Sequence, residues 1–332
     1  MTKSLPRRRS ILSLATGLGA LAIMPSATRA QTTLPDKPVR IVVGFAAGSG
    51  IDQVARTIAP QLERRIGRHV TIENKPGDAG ALSGELLIKG PKDGSMLAFM
   101  ASTTLTSKLT VKNFPFDPLT DIAPISLAGT FQTALAASPK IGVATFGDYL
   151  KWLKDGDTQR RRLGYTGSSA FLEIFGLVVR GDIGVKLEGV SFRGSAALVN
   201  DLQDGRIPAG IATVASFVEH LRSGRLKVLM TSGRKRSHVT PDVPTAVELG
   251  YANLEILEWF GFFASPSVPA PLQEEWNRQI RAVLGQRELA ARLTGLGLDV
   301  ESTTQQEAAE RLAAHMKAWK ARIELVGTKP TD

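Results

Sequence analysis

The sequence predicts an α/β protein with mainly parallel sheets flanked by helices, arranged as two lobes joined by strands that cross between them. Three observations carry this expectation. β-Branched runs end in glycine-rich turns that open amphipathic helices, and this unit recurs in both halves of the chain. Hydrophobic residues make up 43% of the 332 residues, enough for more than one sizeable core. No Gly/Ser linker divides the chain into tethered domains, so the lobes are expected at residues 31–131 plus 232–332 and at 132–231.

The elements follow in order. Lys37–Phe45 reads as a buried parallel strand and ends at Ala46-Ala47-Gly48-Ser49-Gly50. Ile51, Val54, Ala55, Ile58, Leu62 and Ile66 share one face of a helix stopped by Gly67, and Pro60 should kink or shorten it. A strand near His69–Ile72, a helix over Ala81–Lys89 and a strand over Ser95–Ala101 complete the first unit. Extended segments at Ile125–Ala137, Leu163–Tyr165, Val185–Phe192, Ile207–Ala212 and Leu226–Thr231 then alternate with helices. Those helices are Phe146–Lys154, Ser168–Val179, Ser195–Gln203 and Ser216–Ser223. The tail is helical: Pro271 suits a first turn, and Thr304-x-x-Glu307 is a capping box ahead of Leu312, Met316, Trp319 and Ile323 on one face.

The start of the chain reads as an export signal. Lys3 and Arg7-Arg8-Arg9 precede an uncharged run from Ile11 to Met24, and Thr28-Arg29-Ala30 supplies a cleavage site before Gln31. That run of about 14 residues is shorter than the roughly 20 a spanning helix needs. Arg8-Arg9-Ser10-Ile11-Leu12 fits a twin-arginine pattern, and the general secretory (Sec) route fits equally well. The formal charge of +10 loses five basic residues with the signal, leaving 36 basic against 31 acidic. No basic stripe carries interleaved aromatics, so nucleic acid is not an expected partner. The absence of cysteine excludes disulfides, thiolate catalysis and cysteine-held metals. His69, His220, His238 and His315 lie in no metal-ligand spacing, so neither a metal nor a cofactor is expected.

Four turns could hold a ligand without a covalent step. Phe45-Ala46-Ala47-Gly48-Ser49-Gly50, with Asp52 behind it, brings backbone N–H groups to a helix start, which favours an anion. It lacks the third glycine of a dinucleotide fingerprint and the Gly-Lys-Ser/Thr of a P-loop. Ser102-Thr103-Thr104, Gly167-Ser168-Ser169 and Phe192-Arg193-Gly194-Ser195-Ala196 offer hydroxyls and N–H groups at further helix starts, where plain N-capping is the competing role. Asp52 is expected to cap its own helix, because like charge would repel an anion. Ser195 or Ser169 as a hydrolytic nucleophile is the weaker reading, since neither lies in Gly-x-Ser-x-Gly.

An ordered series of motifs resembles the receptors of tripartite tricarboxylate transporters, the Bug family of periplasmic solute-binding proteins. It comprises Lys37-Pro-Val-Arg-Ile-Val-Val-Gly-Phe45, Gly48-x-Gly50-x-Asp52-x-x-Ala55-Arg56, Glu73-Asn74-Lys75-Pro76-Gly77 and Pro91-Lys92-Asp93-Gly94. It continues through Phe116-Asp117-Pro118, Phe192-Arg193-Gly194-Ser195-Ala196, Ser223-Gly224-Arg225-Leu226 and Pro241-Asp242-Val243-Pro244-Thr245. The resemblance implies a type II-like, two-lobed periplasmic binding protein whose cleft closes on a carboxylate and presents it to membrane permease subunits. It implies no enzymatic activity and a monomer. Its binding loops fall on Phe45–Asp52, Ser102–Thr104, Gly167–Ser169 and Phe192–Ala196. Departures from the family pattern are Gly44 and Ala47 for prolines, Ser49 for glycine, Phe171 near a usual histidine, Phe192-Arg193 for tyrosine-lysine, and Pro208 for an aspartate. An added phenylalanine and a lost aspartate favour an aromatic or apolar carboxylate over citrate. A sensor module that binds the same ligand but signals through a membrane partner is the alternative role.

Overall fold

Apolar runs bounded by glycine turns become the strands of one hydrogen-bonded sheet, and helices cover both of its faces. The computed structural model describes residues 1–2, 34–166 and 170–326, so the expected signal segment and the Gly167–Ser169 turn lie outside the described residues. The first unit is β1 (Val39–Val43), α1 (Gly50–Ile66), β2 (Val70–Asn74), α2 (Ala81–Lys89), β3 (Met96–Ala101) and the short α3 (Ser102–Thr106). A long strand, β4 (Ala123–Ala137), leads into α4 (Phe146–Lys154), β5 (Arg162–Thr166), α5 (Ala170–Ile183) and β6 (Glu188–Phe192). Next come α6 (Ser195–Asp204), β7 (Ala209–Thr213), α7 (Val214–Arg222), β8 (Lys227–Thr231) and β9 (Leu257–Ala264). The chain closes with α8 (Ala270–Leu284), α9 (Arg287–Gly295), β10 (Leu298–Val300) and α10 (Gln305–Val326).

The strand order is β2-β1-β3-β9-β4-β7-β5-β6, with β8 and β10 also paired to β4. The outer ladders are parallel, β2-β1-β3 on one side and β7-β5-β6 on the other. The centre is antiparallel, because β9 pairs with both β3 and β4. β4 changes partners midway: its pairs with β9 run to Gln132, and those with β7 start at Thr133. Its register with β9 shifts between Leu127 and Gly129. There Gly129 has φ +155, and a Cβ would lie 2.5 Å from the carbonyl oxygen of Asp299 in β10. Glycine is required at that approach.

Packing follows the same division. The strands beside β1 and β3 bury one face under α1, α8 and α9, and the other under α2, α3 and α10. The second half buries its faces under α4 and α5 and under α6 and α7. Val239, Val243, Ala246, Leu254 and Ile256, which precede β9, pack with this second pair of cores. Pro60 neither ends nor shortens α1, which continues six residues beyond it to Ile66. The capping box of α10 forms as the spacing predicts: Thr304 N–H donates to Glu307 (2.8 Å) and Glu307 N–H to Thr304 Oγ1 (3.2 Å). The sequence reading missed β9, whose residues after Leu257 are all buried, because Glu258 interrupts an otherwise aromatic run. No helix among the described residues is long and apolar enough to cross a membrane.

Two substitutions measure what holds the fold. Trp276 is fully buried, and its Nε1 donates to Gly94 O at 2.9 Å. Trp276→Ala should lower unfolding free energy by about 3–5 kcal/mol in urea titrations. Thr145 caps α4 reciprocally with Asp148, and Thr145→Ala should cost only about 1 kcal/mol in the same assay.

Candidate functional site

A cavity opens at the carboxyl ends of β1, β3, β5 and β7, where ligands of α/β proteins gather. The space within it and at its open mouth amounts to about 650 Å³. The β1–α1 turn contributes Phe45, Ser49, Gly50 and Ile51, and the start of α3 contributes Thr103. Phe131 and Thr133 flank the point where β4 changes partners, and Phe260 comes from β9. The second half supplies Tyr165, Thr166, Phe171 and Leu172, then Ser195, Thr213 and Ser216 at the starts of α6 and α7. None of the described lining side chains is charged.

The β1–α1 turn is held from behind by a buried carboxylate. Asp52 is 2% exposed; its Oδ2 accepts from Gly48 N–H (2.8 Å), and its Oδ1 from Asn74 Nδ2 (2.8 Å). Arg56 Nε sits 3.0 Å from both carboxylate oxygens, and Asn74 Nδ2 also reaches Phe45 O (3.0 Å). Asp52 therefore faces its own loop and does not line the cavity. Gly48 N–H is consumed by Asp52, and Ser49 N–H donates to Ala46 O (3.2 Å). The donors left for a ligand are the first N–H groups of α1, at Gly50 and Ile51, which have no partner within a helix. Ser49 Oγ is buried in the cavity wall without a hydrogen-bond partner.

The other predicted residues divide between lining and support. Thr103, Phe171 and Ser195 line the cavity with Phe45, Ser49 and Gly50. Gly48 and Ala196 line an adjoining groove that also holds His220. Ala46 and Ala47 do not line the cavity; Ala46 instead approaches Gly194, the residue before α6. Ser102 Oγ donates to Glu258 and accepts Trp259 N–H (2.9 Å), so its hydroxyl is spent in the core. Thr104 Oγ1 binds Ala79 O (2.9 Å), and Phe192 packs on the core beneath α6 and α7. Sequence reasoning missed Phe131, Thr133, Phe260, Tyr165 and Thr213 because they sit in strands or at strand ends, where periodicity marks only burial.

Below Ser102 lies a buried titratable pair that lines no cavity. Burial pushes the Glu258 carboxyl up to about 7, against the opposing pull of Ser102 and Arg322. Burial, with Arg322 and Arg311 nearby, brings His315 down to about 3. His315 Nε2 lies 3.1 Å from Thr106 Oγ1 and 3.6 Å from Glu258 Oε2. The other histidines contact Glu63, Gln203 and Thr294, so no described histidine hydrogen-bonds a cavity serine. No group of three metal-ligating side chains occurs among the described residues.

A Cβ at Gly50 would sit 2.6 Å from Thr213 Oγ1, whereas one at Gly48 meets open space and is opposed only by φ +82. Gly50→Val should therefore abolish ligand binding in calorimetry, and Gly48→Val should weaken it less while lowering stability. Glu258 has a raised folded pKa, so its stabilising contribution is complete below about 4.5 and lost as pH rises through about 7. His315 has a depressed one, so its contribution is present above 6.5 and lost as pH falls towards about 3. Glu258→Gln, which mimics the protonated carboxyl, should raise the melting temperature relative to the parent at pH 8 but not at pH 4.5.

Comparison with known proteins places this chain in a family. Residues 54–328 match the tripartite tricarboxylate transporter family receptor model. BugT of Bordetella pertussis is 26% identical over 302 residues, covering 90% of this chain and 91% of that protein. The UPF0065 protein in the tcbD-tcbE intergenic region of Pseudomonas sp. strain P51 is 26% identical over 309 residues, covering 92% and 91%. The solved periplasmic binding protein BugD superposes with a TM-score of 0.83 at 24% identity, over 90% of this chain and all of that one. MatC from Rhodopseudomonas palustris, solved with bound malate, gives 0.79 at 24% identity over 87% and 99%. Rpa4515 of R. palustris, solved with adipate, gives 0.83 at 23% identity over 90% and 99%. The fold is thus that of the periplasmic binding proteins, and the chain belongs to the tripartite tricarboxylate transporter receptor family.

Proposed function

We propose that this receptor captures a small carboxylate in the periplasm and delivers it to the membrane permease subunits of a tripartite transporter. The single observation that carries the reading is the cavity, uncharged among its described lining side chains, at which the starts of α1, α6 and α7 converge, with the unpartnered Ser49 hydroxyl in its wall. Free N–H groups at helix starts carry partial positive charge and hold an anion without a cationic side chain. The malate and adipate bound by proteins of the same fold support a carboxylate here. No bond is broken in this reading, which follows the family's binding role and the lack of a serine–histidine pair among the described residues.

The mature protein in this reading is a monomer of two lobes, residues 31–131 plus 232–332 and residues 132–231, exported through residues 1–30 by the Sec or twin-arginine route. The continuity of β4 through both sets of ladders supports a hinge there. Closure would draw its free energy from ligand contacts made only when the lobes meet. N-terminal sequencing of periplasmic material should begin at Gln31.

A thermal-shift screen of organic acids tests the reading directly. A bound acid at a hundredfold excess over its Kd should add about 2.7 kcal/mol of stability. Ser195→Ala should lose about 1–2 kcal/mol of that acid's binding free energy, the worth of one hydrogen bond to a charged group. A complete absence of stabilisation by any carboxylate would overturn the proposal.

A further inference from the structure

We infer that the edge of the sheet at which β5, β6, β7 and β8 begin is a basic pole that docks on an anionic lipid surface. The inference goes beyond the carboxylate reading and does not depend on it.

Positive charge is unevenly placed along the chain. Beyond residue 30 the net charge is +5, and residues 132–231 carry +4 of it, with 13 lysines and arginines against 9 acids. The topology then sorts that charge in space. β5 pairs in parallel with β6 and β7, while β7 and β8 both run antiparallel to β4, so these four strands begin at one edge. Ala137, the end of β4, aligns there with Ala209 of β7 and Lys227 of β8, and Arg162 of β5 aligns with Glu188 of β6. The segments at this edge are residues 138–141, 151–162, 180–188, 201–208 and 220–227. They hold 12 of the 13 cations and 6 of the 9 acids, a net charge of +6. The cavity lies at the opposite ends of β5 and β7, roughly 15 Å away along five-residue strands.

Part of this charge has a local role. Lys151, Lys154, Arg180 and Arg222 stand in the last turns of α4, α5 and α7, where a cation complements the helix dipole. Arg206 pairs with Asp201 and Asp204 at 2.7 and 2.5 Å. The rest is not spent in this way. Lys140, Arg225 and Lys227 are exposed, lie outside the α-helices and form no ion pair with a described residue. Lys140 sits beside the Arg206 turn, since a Cβ on Gly205 would lie 3.0 Å from its Cδ, and Arg162 Nη1 donates to Arg206 O (3.3 Å). Arg160 lies over the Trp152 ring, 4.9 Å from its centroid. These cations come from separate turns along an edge of five strands, roughly 20 Å wide. A single small anion is held by donors that converge on it, whereas a layer of charged headgroups is met by cations spread over one face. Each cation adds to that attraction, and salt screens it.

Vesicle cosedimentation tests the pole, using residues 31–332 so that the apolar run before them plays no part. The protein should sediment with phosphatidylcholine vesicles that contain phosphatidylglycerol, and not with phosphatidylcholine alone. Raising the salt should release it. The triple variant Lys140→Gln, Arg225→Gln, Lys227→Gln should bind the anionic vesicles at least tenfold more weakly. Arg287→Gln, Arg292→Gln, Lys317→Gln removes the same charge from exposed positions on α9 and α10 and should bind like the parent. Equal loss in both triple variants overturns the pole, because net charge alone then explains binding. No binding of the parent to anionic vesicles also overturns it, and leaves the edge to an acidic protein partner. Should the pole variant fail to fold by circular dichroism, Lys227→Glu alone should weaken binding several-fold, and an unchanged partition overturns the inference. None of these outcomes bears on carboxylate capture, which the thermal-shift screen decides.

Discussion

Everything about the site depends on β4 being shared. A strand inside a sheet must satisfy its N–H and C=O groups on both edges. β4 meets this by pairing with β9 as far as Gln132 and with β7 from Thr133 onward. The exchange marks where the ladder with β9 ends and the ladder with β7 begins. It also sets Phe131 and Thr133, on either side of the exchange, into the wall of the cavity. The parallel ladders on both sides then bring four strand ends to one place. Gly129 permits the register shift by accepting a backbone approach that no Cβ could tolerate.

In the proposed reading, the cavity attracts an anion by arrangement instead of by charge. The carboxylate nearest the first loop, Asp52, is turned away from the cavity and neutralised by Arg56, with Asn74 and Gly48 completing its hydrogen bonds. Asn74 ties the same network to the Phe45 carbonyl, so the loop is held in shape before a ligand arrives. Preorganised donors lose little entropy on binding, which raises affinity without adding contacts.

The Ser102 region has a different logic. Its hydroxyl, Glu258 and His315 form a buried polar knot that joins the end of β3, β9 and α10. Both titratable groups are driven by burial towards their neutral forms, His315 down to about 3 and Glu258 up to about 7, so the knot is uncharged between those limits. It sits one residue from Thr103, which lines the cavity, and therefore anchors the α3 turn from below.

The sequence by itself determined the alternation of strands and helices, the α1 and α10 faces, the α10 capping box and the first loop as a helix start. Local periodicity, turn chemistry and capping are encoded within a few residues, so they survive without tertiary information. Its ordered motifs also pointed to the family to which the chain proved to belong. Only the tertiary structure decided which hydroxyls face the cavity. Ser102 and Ser195 both stand at helix starts, yet one is spent on Glu258 from a distant strand and the other lines the site. Likewise Gly48 and Gly50 look equivalent in the motif, but Thr213 lies beside Gly50 alone. These choices arise from contacts between segments separated by more than a hundred residues, and no local pattern carries that information.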